Sequence, residues 1–174
     1  MSNNNGIDKI GLCVLNSKII RYFLQQSFES SSMGGGINFT PDIIRNIPIF
    51  DISKTPQQPF IDKAELMLTL NKELHELSGK FQRNIQREFK LDDLPKKLQN
   101  WYSITYSDFL TEIEKKKVKL SLPQKSEWQH YFDQESKKAN DINNIIKKTD
   151  NEIDKMVYKL YGLTDNEIRQ IEVQ

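Results

Sequence analysis

Few residues in this sequence have the chemistry of a catalytic nucleophile or a metal ligand. Among 174 residues there is one cysteine, Cys13, and there are two histidines, His75 and His130. One cysteine excludes an intrachain disulfide and a multi-cysteine zinc site, and two histidines exclude a histidine-rich metal cluster. Cys13 lies in an apolar run, which favours a packed thiol, and His75 lies near Glu73 and Glu76 on a polar helix side. Nothing favours a Cys–His or Ser–His pair, so we predict no catalytic residue and no metal site.

Carboxylates beside lysines suggest a metal-dependent nuclease as an alternative. Such an enzyme needs an Asp and a Glu-x-Lys triplet brought together on strands, where the carboxylates hold Mg²⁺. Asp42 with Glu114-Lys115-Lys116 matches these letters, and so does Glu135-Ser136-Lys137. Both triplets lie in helical or helix-end patterns, and such triplets are frequent in a chain with 28% charged residues. A hydrolase therefore stays only as a third hypothesis.

Three consecutive glycines form the one glycine cluster of the sequence, Gly34, Gly35 and Gly36. Ile37-Asn38-Phe39 follows them rather than Lys-Ser or Lys-Thr, so the cluster is not a P-loop. The sequence also lacks the glycine-rich cofactor turn and the Asn-Pro-Pro-aromatic turn that a fused methyltransferase would need. Two interpretations stay open, a tight or flexible turn and a backbone that approaches a phosphate closely.

Lysines occur in short clusters, of which residues 115–119 (KKKVK) are the densest. Lysine contacts to a phosphate backbone supply affinity without sequence information, whereas the simpler interpretation is a solvated face balanced by acids. The net charge of +1 and the pI of about 7.7 give no support for strong bulk DNA affinity. Four aromatic residues could stack on bases, although their helical spacing is more typical of a core: Trp101, Tyr102, Trp128 and Tyr131.

The N-terminal third holds the elements that would position these residues. Apolar spacing over residues 7–27 favours a helix, with a strand as the alternative, and residues 37–39 could form a short strand. Thr40-Pro41-Asp42 predicts a helix start, and Pro48 ends that helix after residue 47. Residues 48–60 are predicted to be an extended linker.

From residue 61 onward the sequence has long helical patterns. Leucine, isoleucine and phenylalanine residues recur every three or four positions on one stripe: Leu66, Leu70, Leu74, Leu77, Phe81, Ile85 and Phe89. A second stripe follows Ser126, a candidate cap, over residues 128–146, and residues 107–113 predict a short helix. We expect the two stripes to pack together as an antiparallel hairpin or small bundle. The fold class is therefore mainly α, with a short, mixed N-terminal segment.

The pentapeptide TDNEI occurs twice close to the C-terminus, at residues 149–153 and 164–168, and we call each copy a TDNEI word. Both have the Thr-x-x-Glu form of a capping box, so each predicts a helix start. Gly162 fits a left-handed helix end just before the second word.

Membrane insertion and secretion are not expected. No run approaches the roughly 18 apolar residues of a membrane helix, and the start, MSNNNGID, has no basic segment typical of a signal peptide. We expect a soluble, cytoplasmic protein.

Two stretches resemble one enzyme family. Residues 15–23 (LNSKIIRYF), 33–41 and 43–49 resemble the end of the TaqI-like specificity domain, which reads the DNA target in adenine-specific methyltransferases and type IIG restriction–modification enzymes. The C-terminal helical tail of the same enzymes is similar to the Glu127-Trp128 and Tyr131-Phe132 pairs followed by residues 149–168. The order of the pieces covers nearly the whole chain.

The resemblance implies that residues 1–60 end a DNA target-recognition domain and that residues 61–174 form a C-terminal helical domain. Its implied partners are double-stranded DNA and a methyltransferase or nuclease domain or subunit. S-adenosylmethionine and Mg²⁺ would be bound by a methyltransferase part preceding residue 1, so no cofactor is expected in this chain. No position matches the family's catalytic motifs. The residues placed nearest DNA are Lys18, Arg21, Gly34, Gly35, Gly36, Asn38 and Thr40.

An interaction role without DNA is the second hypothesis. The exposed parts of the stripes at 66–89 and 128–146 would then form an interface with another subunit or a second copy of the chain.

Overall fold

The structure is a computed structural model that describes residues 4–27, 41–48 and 55–173. These ranges contain helices and turns and no strand, which confirms the mainly α fold class. The predicted strand at 37–39 and the cap Thr40 lie outside the described residues. Within the described ranges the helices are α1 Asn4–Leu15, α2 Lys18–Ser27, α3 Pro41–Arg45, α4 Gln58–Phe89, α5 Lys96–Gln99, a 3-10 turn Trp101–Ser103, α6 Tyr106–Lys115, α7 Leu122–Leu160 and α8 Asp165–Glu172.

The helix predicted over residues 7–27 is two helices, α1 and α2, with a break between them. The Asn16 amide donates to the Leu12 carbonyl at 2.8 Å, and the Ser17 hydroxyl donates to the Val14 carbonyl at 2.6 Å. Asn and Ser side chains that bond nearby carbonyls favour turns over continued helix. The break places Lys18 at the first position of α2.

Two predicted helix starts are wrong, because both fall inside helix α7. It begins at Leu122 rather than after Ser126, and the side chain of Gln124 accepts from the Ser121 backbone N–H at 2.9 Å. It then runs through Thr149, whose side chain is buried, so the first TDNEI word does not start a helix. A capping box forms only where the preceding residues leave the helix, and no Gly or Pro lies between Pro123 and Thr149.

The second TDNEI word does start a helix, as predicted. Gly162 has φ 65°, and the Leu163 N–H reaches back to the Tyr158 carbonyl at 3.1 Å, which is a Schellman end. Thr164 and Glu167 then form a complete capping box at the start of α8.

The chain divides into two compact units, Met1–Met67 with Lys148–Gln174 (unit 1) and Leu68–Lys147 (unit 2). Both α4 and α7 contribute to both units. This division by packing differs from the predicted boundary after residue 60, because the C-terminal residues pack with the N-terminal ones. The assignment of residues 1–60 to a recognition domain stays a prediction.

The core of unit 1 joins helices from both ends of the chain. Buried apolar residues come from α1, α2, α3 and the turn after it, the first turns of α4 and the last turns of α7: Ile10, Cys13, Val14, Ile20, Leu24, Ile43, Ile47, Phe60, Ala64, Ile153 and Val157. Helix α8 packs against α2.

Aromatic rings dominate the core of unit 2. Phe81 of α4 stacks on Trp101 with ring centroids 3.7 Å apart, and it meets Phe132 of α7 edge-on. Further along, Phe89 meets Trp128. The partner number falls as the α4 number rises, so these parts of α4 and α7 are antiparallel, as the stripes predicted. In the described ranges, no helix combines the length and the apolar character needed to cross a bilayer.

Candidate functional site

Lys18 is the predicted DNA-contact residue whose surroundings are best defined, and it lies in a polar network of unit 1. Its backbone N–H, at the start of α2, donates to Asp154 Oδ1 of α7 at 2.9 Å. Its ammonium donates to Glu172 Oε2 of α8 at 2.8 Å and to the Asn151 side-chain oxygen at 3.2 Å. One residue thus joins α2, α7 and α8. We call Lys18, Asn151, Asp154, Tyr158 and Glu172 the Lys18 network.

Asp154 is the buried member of this network, with 2% of its surface exposed. Its Oδ2 atom accepts no hydrogen bond from the described residues and lies 3.5 Å from the Lys18 ammonium. Burial raises the pKa of Asp154, while the Lys18 backbone and ammonium act against that rise. A carboxylate at a helix N-terminus also satisfies a free backbone N–H and the helix dipole. Asp154 therefore acts as a cap supplied from another helix.

Glu172 and Tyr158 complete the network on the side of α8. The Tyr158 hydroxyl donates to Glu172 Oε1 at 2.9 Å. The hydrogen bond from Lys18 lowers the pKa of Glu172, and the same bond raises the pKa of Lys18. Burial, together with the bond to Glu172, raises the pKa of the Tyr158 hydroxyl, so it remains a protonated donor.

A groove of about 610 Å³ lies beside this network, between α7 and α8. Its lining combines apolar Leu163 and Ile168 with the side chains of Lys155 and Lys159. The members of the Lys18 network bond to one another across α2, α7 and α8, so the network positions these three helices.

The other DNA-contact candidates divide into one described residue and five that are not described. Arg21 is exposed on α2, one turn after Lys18, and its backbone N–H donates to the Ser17 carbonyl. Gly34, Gly35, Gly36, Asn38 and Thr40 lie outside the described residues, so their proximity to Lys18 and Arg21 stays a prediction.

The residues weighed for catalysis do not gather into a site in the described part of the chain. Asp42 is exposed and pairs with Arg45 in its own helix, and Glu114 pairs with Lys125. No group of three His, Cys, Asp or Glu residues suited to a metal occurs in that part. Burial raises the pKa of the Cys13 thiol to about 11, so it is protonated at neutral pH.

Sequence reasoning missed Glu172 and the pairing of Lys18 with Asp154. Lys18 and Asp154 are 136 positions apart, and neither local pattern predicts the other as its partner. One signal was present, because Asp154 lies between Ile153 and Met156-Val157 on the apolar side of α7. An acid on an apolar stripe is rarely buried without a partner.

Comparison with known proteins identifies one family. No curated protein and no solved structure matches the chain. The model of a family described as a domain of unknown function, DUF8810, matches residues 53–157, which is more than half of the chain and includes all of α4, α5 and α6 and most of α7. The chain therefore belongs to the DUF8810 family.

Proposed function

We propose that this chain is a non-catalytic module for DNA target recognition and scaffolding in a restriction–modification methyltransferase. The observation that carries the proposal is that residues 15–23 of the first stretch and residues 149–168 of the second lie in the same compact unit, unit 1. Lys18 of the first stretch is bonded to Asp154 of the second. If the two stretches resembled the family only through unrelated local patterns, nothing would require them to contact each other.

The network suggests how such a module would work. Asp154 fixes the start of α2, and Glu172 holds the Lys18 ammonium, so α2 is anchored to α7 and α8. Helix α2 then presents Arg21, which is exposed, while the Lys18 ammonium is already bonded to Glu172. Arginine contacts to phosphates position a protein on DNA. In the proposal, Arg21 contacts the DNA, and Lys18 mainly positions Arg21.

The catalytic groups belong to another part or subunit in this proposal. S-adenosylmethionine and Mg²⁺ would be bound there, and the chain would act with that partner in the cytoplasm. Purified alone, the chain is expected to bind duplex DNA without methylating or cleaving it.

The packing of unit 2 buries the central residues of the two stripes, so the interface of the second hypothesis is confined to the exposed residues of those stripes. Phe81, Ile85, Phe132 and Ala139, which are central to the two stripes, are all at most 2% exposed because α4 and α7 pack on each other there. These side chains are not available to a partner subunit without unfolding unit 2.

The test compares two arginines of unit 1 that are both exposed, Arg21 on α2 and Arg169 on α8. Fluorescence anisotropy with a labelled duplex pool at low salt measures affinity for the wild-type chain, Arg21→Gln and Arg169→Gln. We expect Arg21→Gln to weaken binding by about 5- to 10-fold and Arg169→Gln to change it by less than about 2-fold, as loss of one phosphate contact would. Absence of binding by the folded wild-type chain contradicts the proposal, and equal effects of the two substitutions contradict the role of Arg21.

A further inference from the structure

Unit 2 has an uneven distribution of charge along its sequence. It contains fifteen Lys and Arg residues against twelve Asp and Glu, whereas unit 1 contains ten against twelve. Residues 90–125 account for the whole excess, with eight basic and five acidic residues. The rest of unit 2 is balanced, with seven of each.

Ion pairs join three lysines of this segment to acids of the same or neighbouring elements. Lys116, after α6, pairs with Asp93 of the loop between α4 and α5 at 3.0 Å. Lys115 lies 2.7 Å from Glu112 and Lys97 of α5 lies 4.0 Å from the same carboxylate oxygen, which is buried between them. Two ammonium groups share one carboxylate there, so a positive charge is left over.

Four more lysines of the segment have no carboxylate partner among the described residues. Lys90, Lys96, Lys117 and Lys119 are all exposed. We call these seven residues the lysine cluster: Lys90, Lys96, Lys97, Lys115, Lys116, Lys117 and Lys119. The acids of the segment are Asp92, Asp93, Asp108, Glu112 and Glu114.

Two of these lysines occupy backbone positions that favour glycine. Lys90 has φ 51° and Lys117 has φ 64°, and they are the non-glycine residues with positive φ in the described ranges. Each ends a helix in a Schellman motif, since the Leu91 N–H reaches Gln86 and the Val118 N–H reaches Ile113. Gly162 serves the same purpose at the end of α7. A lysine at such a position costs stability that a glycine would not, and such strain is typical of functional positions.

We infer that the lysine cluster of unit 2 is a contact surface for the phosphate backbone of duplex DNA, distinct from Arg21 and the glycine loop. The inference rests on the proposed function, which supplies DNA as the polyanion. Flexible lysines bind phosphates as point charges and read no bases. The cluster therefore supplies affinity and orientation, not target choice.

The test measures DNA affinity against salt for two triple variants with equal charge loss. The first is Lys96→Gln/Lys117→Gln/Lys119→Gln, and the second, the control, is Lys80→Gln/Lys137→Gln/Lys147→Gln. All six lysines are exposed residues of unit 2 without an ion-pair partner among the described residues. The slope of log affinity against log salt is negative, and each lost phosphate contact reduces its magnitude by about 0.9. We expect the first variant to reduce the magnitude of this slope by about 2 to 3 and the control to reduce it by less than about 1.

Lys117→Gly separates binding from folding, because glycine relieves the positive φ at that position. We expect this variant to unfold at the same or a higher urea concentration than the wild-type chain. We also expect the magnitude of its salt slope for DNA binding to be smaller by about 1. A variant that binds like the wild-type chain contradicts the assignment of Lys117.

The outcomes distinguish the inference from the proposed function. If the wild-type chain binds duplex DNA and both triple variants have equal slopes, the lysine cluster is not the contact surface, but the proposed function stands. If the folded wild-type chain does not bind at low salt, both fail. If polyglutamate of equal charge displaces the chain as well as duplex DNA does, the cluster is an acidic-protein surface and the inference is overturned.

Discussion

At the scale of single residues, Asp154 has the clearest consequence for stability. It is buried, caps α2 through the Lys18 N–H and faces the Lys18 ammonium. Removing one partner of a buried pair leaves the other uncompensated, which makes the loss larger than for a surface pair. The partly exposed Lys18 reduces the effect, because water can solvate its ammonium.

We predict that Asp154→Ala lowers the free energy of unfolding by about 2 kcal/mol, since it removes both the cap and the charge partner. Urea denaturation followed by circular dichroism measures this. Asp141→Ala, at an exposed position of the same helix, is the matched control and should shift the midpoint little. Equal shifts for the two variants would show that Asp154 is not a structural anchor.

Glu172 gives a prediction about pH. Its pKa is lowered from 4.5, first by the hydrogen bond from Lys18, so folding favours its ionised form. The stability it contributes is present above pH 4.5 and is lost as the pH falls through the folded-state pKa. The pKa shift of Asp154 has the opposite sign, because burial raises that pKa. Asp154 is present in both the wild-type chain and the variant compared below, so its contribution cancels.

We expect Glu172→Gln to be less stable than the wild-type chain at neutral pH and to approach it as the pH falls below 4.5. Denaturation midpoints measured over a pH series test this, with Glu127→Gln, an exposed residue of α7, as the control. A stability difference that is independent of pH would mean that Glu172 acts through its shape and not its charge.

At the scale of elements, the two identical TDNEI words show what sequence can and cannot predict. The word at 164 starts α8 because Gly162 ends the preceding helix, and this start was predicted correctly. The word at 149 has no break before it and continues within α7. A capping motif alone does not distinguish the two cases, because the state of the residues before it decides.

These two threonines provide a matched pair of substitutions. We predict that Thr164→Val costs about 1 kcal/mol of stability, because the hydroxyl that accepts from the Glu167 N–H is lost. Thr149→Val should cost less, since the buried Thr149 side chain lies inside a helix and keeps its shape. Chemical denaturation of both variants decides, and a larger loss at Thr149 would indicate that α7 is interrupted there.

Periodicity predicted the long helices well, because the stripe from Leu66 to Phe89 depends only on local spacing. The stacking of Phe81 on Trp101 and the pairing of Lys18 with Asp154 were not predictable, because they join residues far apart in sequence. The positive φ of Lys90 and Lys117 was also hidden, since lysine gives no local signal for that conformation.

At the scale of the whole molecule, a net charge of +1 conceals two units of opposite sign. Unit 1 holds Arg21 and the Lys18 network, and unit 2 holds the lysine cluster. The overall pI therefore says little about DNA affinity in this chain, because the charge is locally concentrated.

We propose that this chain binds duplex DNA through its phosphates without acting on it. The most direct measurement is the affinity of the purified wild-type chain for a labelled duplex as salt rises from about 50 to 200 mM, where several phosphate contacts give a steep linear fall of log affinity with log salt. We predict binding at the low end and a slope of about −3 or steeper. A folded chain that shows no binding at the lowest salt, or whose affinity does not change with salt, contradicts it.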